Sequence, residues 1–179
     1  MKPAPVLIRP EIPGDHPLIA DLVTTAFKTV AESSGTEAGL VERLRQRPEH
    51  VPEYALVATA GNDLVGYVLL APITLTTARE THRVLILAPV AVLPAWQRRG
   101  IGSQLIDAVL DLARARQERA VIVVGHADYY PRFGFRRAST WGLTVAFPVP
   151  DENFMAMPLQ AGGLDDCAGQ VIFPPEFGI

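Results

Sequence analysis

Val90-Ala91-Val92-Leu93-Pro94-Ala95-Trp96-Gln97-Arg98-Arg99-Gly100-Ile101-Gly102 is the stretch whose reading decides the fold. It joins an apolar strand to an amphipathic helix through a loop rich in cations and glycine. Upstream, Val84 to Leu93 is apolar on both faces, the pattern of a central strand covered on both sides. Downstream, Gly102 to Arg116 reads as a helix. Ile101, Leu105, Ile106, Val109, Leu112 and Ala113 share its inner face, and Asp107, Asp111 and Arg114 its outer one. Gly100 and Gly102 let the loop turn and let its backbone approach a ligand closely. The amides of Arg98 to Ser103 then point outward at a helix N-terminus, where several donors and the helix dipole favour a phosphate. Arg98 and Arg99 can add charge-assisted bonds. Taken without its neighbours, the same spacing also describes a tight turn that merely starts a helix. The loop is not a P-loop, because no Lys-Ser/Thr follows the glycines, nor is it a Gly-x-Gly-x-x-Gly dinucleotide turn.

Working outward, Val121-Ile122-Val123-Val124 is a second buried strand, and a strand–helix–strand crossover of this length implies parallel pairing. Toward the N-terminus, Tyr54–Ala60 and Leu64–Ala71 form a hairpin over Gly61-Asn62-Asp63, and the second strand runs on through Ile73–Thr77. Val6-Leu7-Ile8 is a first strand. Asp15 stands as the N-cap of a helix with Pro17 in its first turn, and Leu18, Ile19, Leu22, Val23, Ala26 and Phe27 form its apolar face. After a loop over residues 32–36, a short helix with Leu40, Val41 and Leu44 stops before Pro48. Trp141 to Leu159 holds two further β segments, broken by Pro148-Val149-Pro150. The order βααβββαβ with a mixed end predicts an α/β domain, α+β by some schemes, with a mixed sheet.

Composition bounds the rest. The chain has 179 residues, 49% of them hydrophobic, and a net charge of −3. Such a chain can bury one substantial core and is too apolar for disorder. The mild acidity lacks the basic stripe of a nucleic-acid binder. The longest uncharged apolar stretch, Val84 to Trp96, is broken by Pro89 and Pro94, so no membrane span is expected. The N-terminus lacks the apolar core of a secretory signal, which points to the cytoplasm. A single cysteine, Cys167, and four scattered histidines offer neither an intrachain disulfide nor a metal site.

Gln97-Arg98-Arg99-Gly100-Ile101-Gly102 resembles the pyrophosphate-binding signature Gln/Arg-x-x-Gly-x-Gly/Ala of the GNAT superfamily of acyl-CoA N-acyltransferases. Leu87 to Pro94 precedes it as that family's fourth strand does. Tyr129-Tyr130-Pro131-Arg132-Phe133-Gly134-Phe135 follows the next strand, as the family's Tyr-x-x-x-Gly-Phe element does. The resemblance covers roughly Val6 to Leu159 and is nearest to a bacterial subgroup of N-acetyltransferases. It implies a mostly antiparallel sheet with a splayed parallel pair of central strands, flanked by helices. The expected organisation is a GNAT-like domain over residues 1–160 and a tail over 161–179. The tail packs on the domain or at an interface, which leaves a homodimer open.

The resemblance also implies acetyl-CoA as co-substrate, a primary amine as acceptor, direct attack in a ternary complex, and no metal. Val90, Ala91, Val92, Gln97, Arg98, Arg99, Gly100, Ile101, Gly102 and Ser103 would hold the cofactor. Pro89 cannot donate a ladder bond, so a break in the strand belongs there, although a simple kink would also accommodate it. The backbone N–H near Val92 would meet the acyl oxygen, and Tyr130 would give a proton to the CoA sulfur. Tyr130 as a packing residue beside Phe133 and Phe135 is the alternative, with Tyr129 in reserve. No base is assigned. Leu85 to Ala88 carry no carboxylate, and Glu80, His82, His126, Asp128 and Glu32 are the outside candidates. Arg136 and Arg137 read as a solvated face, and Trp96 as cover for the helix. A catalytically silent acyl-CoA sensor is the competing function.

Overall fold

The computed structural model describes residues 5–31 and 33–179. In chain order the elements are β1 (Val6–Pro10), α1 (His16–Phe27), α2 (Glu37–Arg45), β2 (Ala55–Ala60), β3 (Asp63–Thr77) and β4 (Thr81–Val92). There follow α3 (Ile101–Ala115), β5 (Ala120–Val124), β6 (Arg136–Arg137), β7 (Leu143–Thr144), β8 (Phe154–Pro158) and β9 (Gly169–Ile172). Among the described residues these nine strands make a mixed sheet. The β4–β5 and β7–β9 pairings are parallel. The chain divides into two units, one from the chain up to Leu70 with Ala88–Leu112, the other from Ala71–Leu87 with Ala113–Ile179.

The first unit carries the antiparallel order β1-β2-β3. Its pleat assigns the faces. Gly66 lies opposite Ala58, and a Cβ on Gly66 would stand 2.9 Å from Leu105 Cδ1 and 3.1 Å from Ile101 Cγ2. The start of α3 therefore rests on this face, against a residue with no side chain to hold it off. The next residue, Tyr67, points to the other face because successive strand residues alternate. There its ring is fully buried beside Arg45 of α2 and Glu11. Arg45 grips Glu11 through Nε at 2.9 Å and Nη2 at 3.0 Å, and His16 Nε2 lies 3.5 Å from the same carboxylate. Burial pushes the Tyr67 phenol well above its ordinary pKa and lowers that of nearby His50.

Both predicted N-terminal helices form, and Ile19, Leu22, Val23 and Ala26 of α1 and Val41 and Leu44 of α2 are buried as their spacing requires. Asp15 holds the expected N-cap position of α1, but its side chain makes no cap bond there. A turn of 3-10 helix, Pro13–Asp15, precedes α1, so Asp15 sits in helical backbone and its carboxylate turns back. It accepts from Ile12 N at 2.9 Å and from both terminal nitrogens of Arg9, at 2.7 and 3.0 Å.

The second unit carries β4-β5-β8-β6 and, through the distal half of β3, β3-β9-β7. Among the described residues the parallel ladder of β4 and β5 is two pairs long, Leu85–Val121 and Ile86–Ile122. Both strands continue past it in sequence, β4 to Val92 and β5 to Val124. Gly169–Ile172 pairs with Thr74–Thr77, so part of the tail is built into the sheet as β9. Among the described residues no helix is long and apolar enough to cross a membrane.

Candidate functional site

The loop after β4 lies in the first unit and carries the residues expected to hold the cofactor. Leu93 N–H donates to Val65 O on β3 at 3.0 Å. Polar groups of successive strand residues face opposite edges, so Val92 and Val90 turn theirs away from β3, whereas Ala91 turns its own toward it. The Val92 carbonyl accepts from Gln97 Nε2 at 3.1 Å. This bond ties the strand end to the loop. Arg98 has φ of 60° and Gly100 has φ of 79°. Left-handed backbone is unusual for arginine, and Arg98 and Gly100 place it on both sides of Arg99.

Gly100 O accepts the first intrahelical bond of α3, from Gln104 N at 3.0 Å. Gly100 is thus the N-cap, and the amides of Ile101, Gly102 and Ser103 are left without carbonyl partners by helix geometry. The 2% exposed Ile101 side chain, seated over Gly66, fixes where this terminus points. Arg98 and Arg99 are exposed, and among the described residues no carboxylate pairs with either. Arg99 lies over the Trp96 ring at 4.8 Å. Trp96 therefore supports a loop arginine as well as flanking the helix.

The expected proton donor lies in the second unit, after β5. Tyr130 opens a short 3-10 turn, Tyr130–Phe133, capped by Gly134 at φ 102°. Its ring is 7% exposed and meets Tyr129 and Phe135 edge to face at 5.2 and 5.8 Å. Its hydroxyl makes no hydrogen bond among the described residues. Burial, with a smaller contribution from Tyr129, pushes the phenol well above its ordinary pKa of 10. It is therefore neutral and proton-bearing at physiological pH. Tyr129 is engaged elsewhere, with Arg132 over its ring at 4.5 Å and Phe133 against it at 5.4 Å.

The other candidates separate. Glu80 and His82 approach each other at 3.4 Å, His126 and Asp128 are exposed in the loop before Tyr130, and Glu32 lies outside the described residues. Arg136 covers Trp141 at 4.9 Å, and Arg137 reaches Asp151 at 3.3 Å. Cys167 is buried beside Arg119. Two residues of structural consequence had no sequence signal. A Cβ on Gly125 would clash with the Tyr130 ring at Cε2, and Asn153 bonds Gly125 twice.

The first unit thus carries a helix terminus beside two arginines that pair with no carboxylate among the described residues, and the second unit a neutral buried tyrosine. The chain belongs to the acetyltransferase (GNAT) family, whose profile matches residues 19–135. Among similar proteins, the uncharacterized N-acetyltransferase YjhQ of Escherichia coli K12 is 34% identical over 70% of each chain. YhbS of E. coli has been solved as a GNAT family N-acetyltransferase in complex with CoA. It superposes with a TM-score of 0.87 at 30% identity, covering 100% of this chain and 96% of its own. A GNAT family acetyltransferase from Brucella melitensis in complex with acetyl-CoA gives 0.78 at 29% identity, covering 97% and 98%.

Proposed function

We propose that the protein transfers an acetyl group from acetyl-CoA to a primary amine by direct attack in a ternary complex. The observation that carries this is the α3 terminus. The amides of Ile101, Gly102 and Ser103, the left-handed backbone at Arg98 and Gly100, and two arginines without a carboxylate partner among the described residues all belong to this one short segment, which suits an anion. The CoA diphosphate is an anion of that kind, and the two relatives bound to CoA and acetyl-CoA support the assignment. Val90 and Val92 offer backbone groups to the pantetheine arm in strand-like fashion. The Val92 amide donates to the thioester oxygen as it gains charge.

In the reaction the neutral amine nitrogen forms a bond to the thioester carbonyl carbon. The tetrahedral intermediate then collapses with cleavage of the C–S bond. Tyr130 O–H donates to the departing sulfur, which leaves as the CoA thiol; the nitrogen loses its extra proton to solvent, and the phenolate takes one back from solvent before the next turnover. A raised phenol pKa keeps Tyr130 protonated throughout the physiological range. Thiol release from acetyl-CoA over a panel of primary amines, for the wild type and Tyr130→Phe, tests the assignment. The expected result is amine-dependent release that falls about 10²-fold in the variant while acetyl-CoA affinity is kept. Tight acetyl-CoA binding with no release over the panel favours the sensor instead.

A further inference from the structure

The Gly125–Asn153 pair extends the β5–β8 ladder. The last strand pair is Val124–Phe154. Beyond it Gly125 N–H donates to Asn153 O at 2.9 Å, as in a strand, but the return bond comes from a side chain: Asn153 Nδ2 donates to Gly125 O at 2.9 Å. Asn153 is itself fixed at the end of the 3-10 turn Asp151–Asn153, where its N–H donates to Pro150 O at 3.0 Å. Gly125 is the surface on which the Tyr130 ring lies. A Cβ there would stand 3.1 Å from Cδ2 and 3.2 Å from Cζ, and nearer still to Cε2. Phe135 and Tyr129 hold the edges of the ring. Its position along the remaining direction is set by the Gly125 backbone.

We propose that Asn153 is a positioning residue for Tyr130: by bonding both the N–H and the carbonyl of Gly125 it fixes the backbone under the phenol ring, and so the place of the hydroxyl. The inference rests on the assignment of Tyr130 as proton donor, and it explains why an amide side chain stands at this position. An ionised aspartate is isosteric but cannot donate to the Gly125 carbonyl, and alanine offers nothing. The Gly125 N–H bond uses the residue 153 backbone and survives either change.

The test labels the four tyrosines with 3-fluorotyrosine in the wild type, Asn153→Asp and Asn153→Ala, with Tyr130→Phe assigning the Tyr130 line. Circular dichroism checks folding. In both variants the Tyr130 fluorine resonance shifts and broadens, while those of Tyr54 and Tyr67 stay in place. Thiol release from acetyl-CoA shows kcat down roughly tenfold or more, with KM for acetyl-CoA within about twofold of wild type. An unchanged Tyr130 line in both variants overturns the proposal, and so does a shift shared by all four lines, which signifies general loosening. If Tyr130→Phe keeps wild-type kcat, the proton-donor assignment fails by itself, and the fluorine spectra still decide the positioning.

Discussion

Gly125→Ala perturbs the proposed chemistry from a residue that itself carries no reacting group. The added methyl carbon would stand 3.1 and 3.2 Å from Tyr130 Cδ2 and Cζ, with Cε2 closer. Carbon atoms rest about 3.5 to 4 Å apart, so the ring must retreat by about 1 Å. The ring is only 7% exposed, and Phe135 behind it 1%, so the retreat also strains the packing. Misplacing a catalytic group by about 1 Å costs about 10²-fold in rate, which is about 2.7 kcal/mol of transition-state stabilisation. Overpacking of this size lowers stability by about 2 kcal/mol and Tm by about 4 to 8 °C for a chain of this length. Steady-state thiol release read beside calorimetric titration with acetyl-CoA separates the two effects. The expected result is kcat down about 10²-fold in a folded protein with unchanged acetyl-CoA affinity. A folded Gly125→Ala variant with kcat within about threefold of wild type would refute the placement of Tyr130.

Two further changes test the first unit. Arg45→Met leaves the Glu11 carboxylate, 5% exposed, without its bidentate partner. Urea unfolding should show a loss of about 3 to 5 kcal/mol, and adding Glu11→Gln should recover much of it. The Arg9 guanidinium and the Ile12 amide hold the Asp15 carboxyl below the usual carboxylate range. Its contribution is therefore complete above pH 4, the ordinary carboxylate value, and is lost as pH falls through the lower folded pKa. Asp15→Asn should lower the urea midpoint clearly at pH 7 and much less at pH 2; an equal loss at both values would contradict the linkage.

Long periodic elements were legible in the sequence because their faces are set by local spacing. The apolar stripe of α3 and the hairpin of β2 and β3 follow directly from residue order. The loop between β4 and α3 was legible too, since its glycines and arginines are contiguous. What could not be read rests on partners far apart in the chain. Asn153 and Gly125 lie 28 residues apart, and Arg45 and Glu11 lie 34 apart; neither pair leaves a pattern in composition or period. Strands of two to four residues, such as β6, β7 and β9, are too short to show alternation and form only because a neighbouring edge is waiting. Asp15 shows how far local grammar reaches: it stands at the N-cap of α1 as read, without a side-chain cap bond. The residue type was right for a cap, but the preceding 3-10 turn gave its carboxylate nearer donors in Ile12 and Arg9.

Calorimetric titration with acetyl-CoA tests the central claim most directly, with the wild type beside an Arg99→Glu, Gly102→Asp double variant. Aspartate in the first turn suits the helix dipole, so α3 should still form. It also places a carboxylate where the diphosphate is expected, and the change at Arg99 reverses a loop charge. The account predicts about micromolar affinity for the wild type and a loss of about 10²-fold or more in the variant. Equal binding by both proteins, or none by a folded wild type, would contradict it.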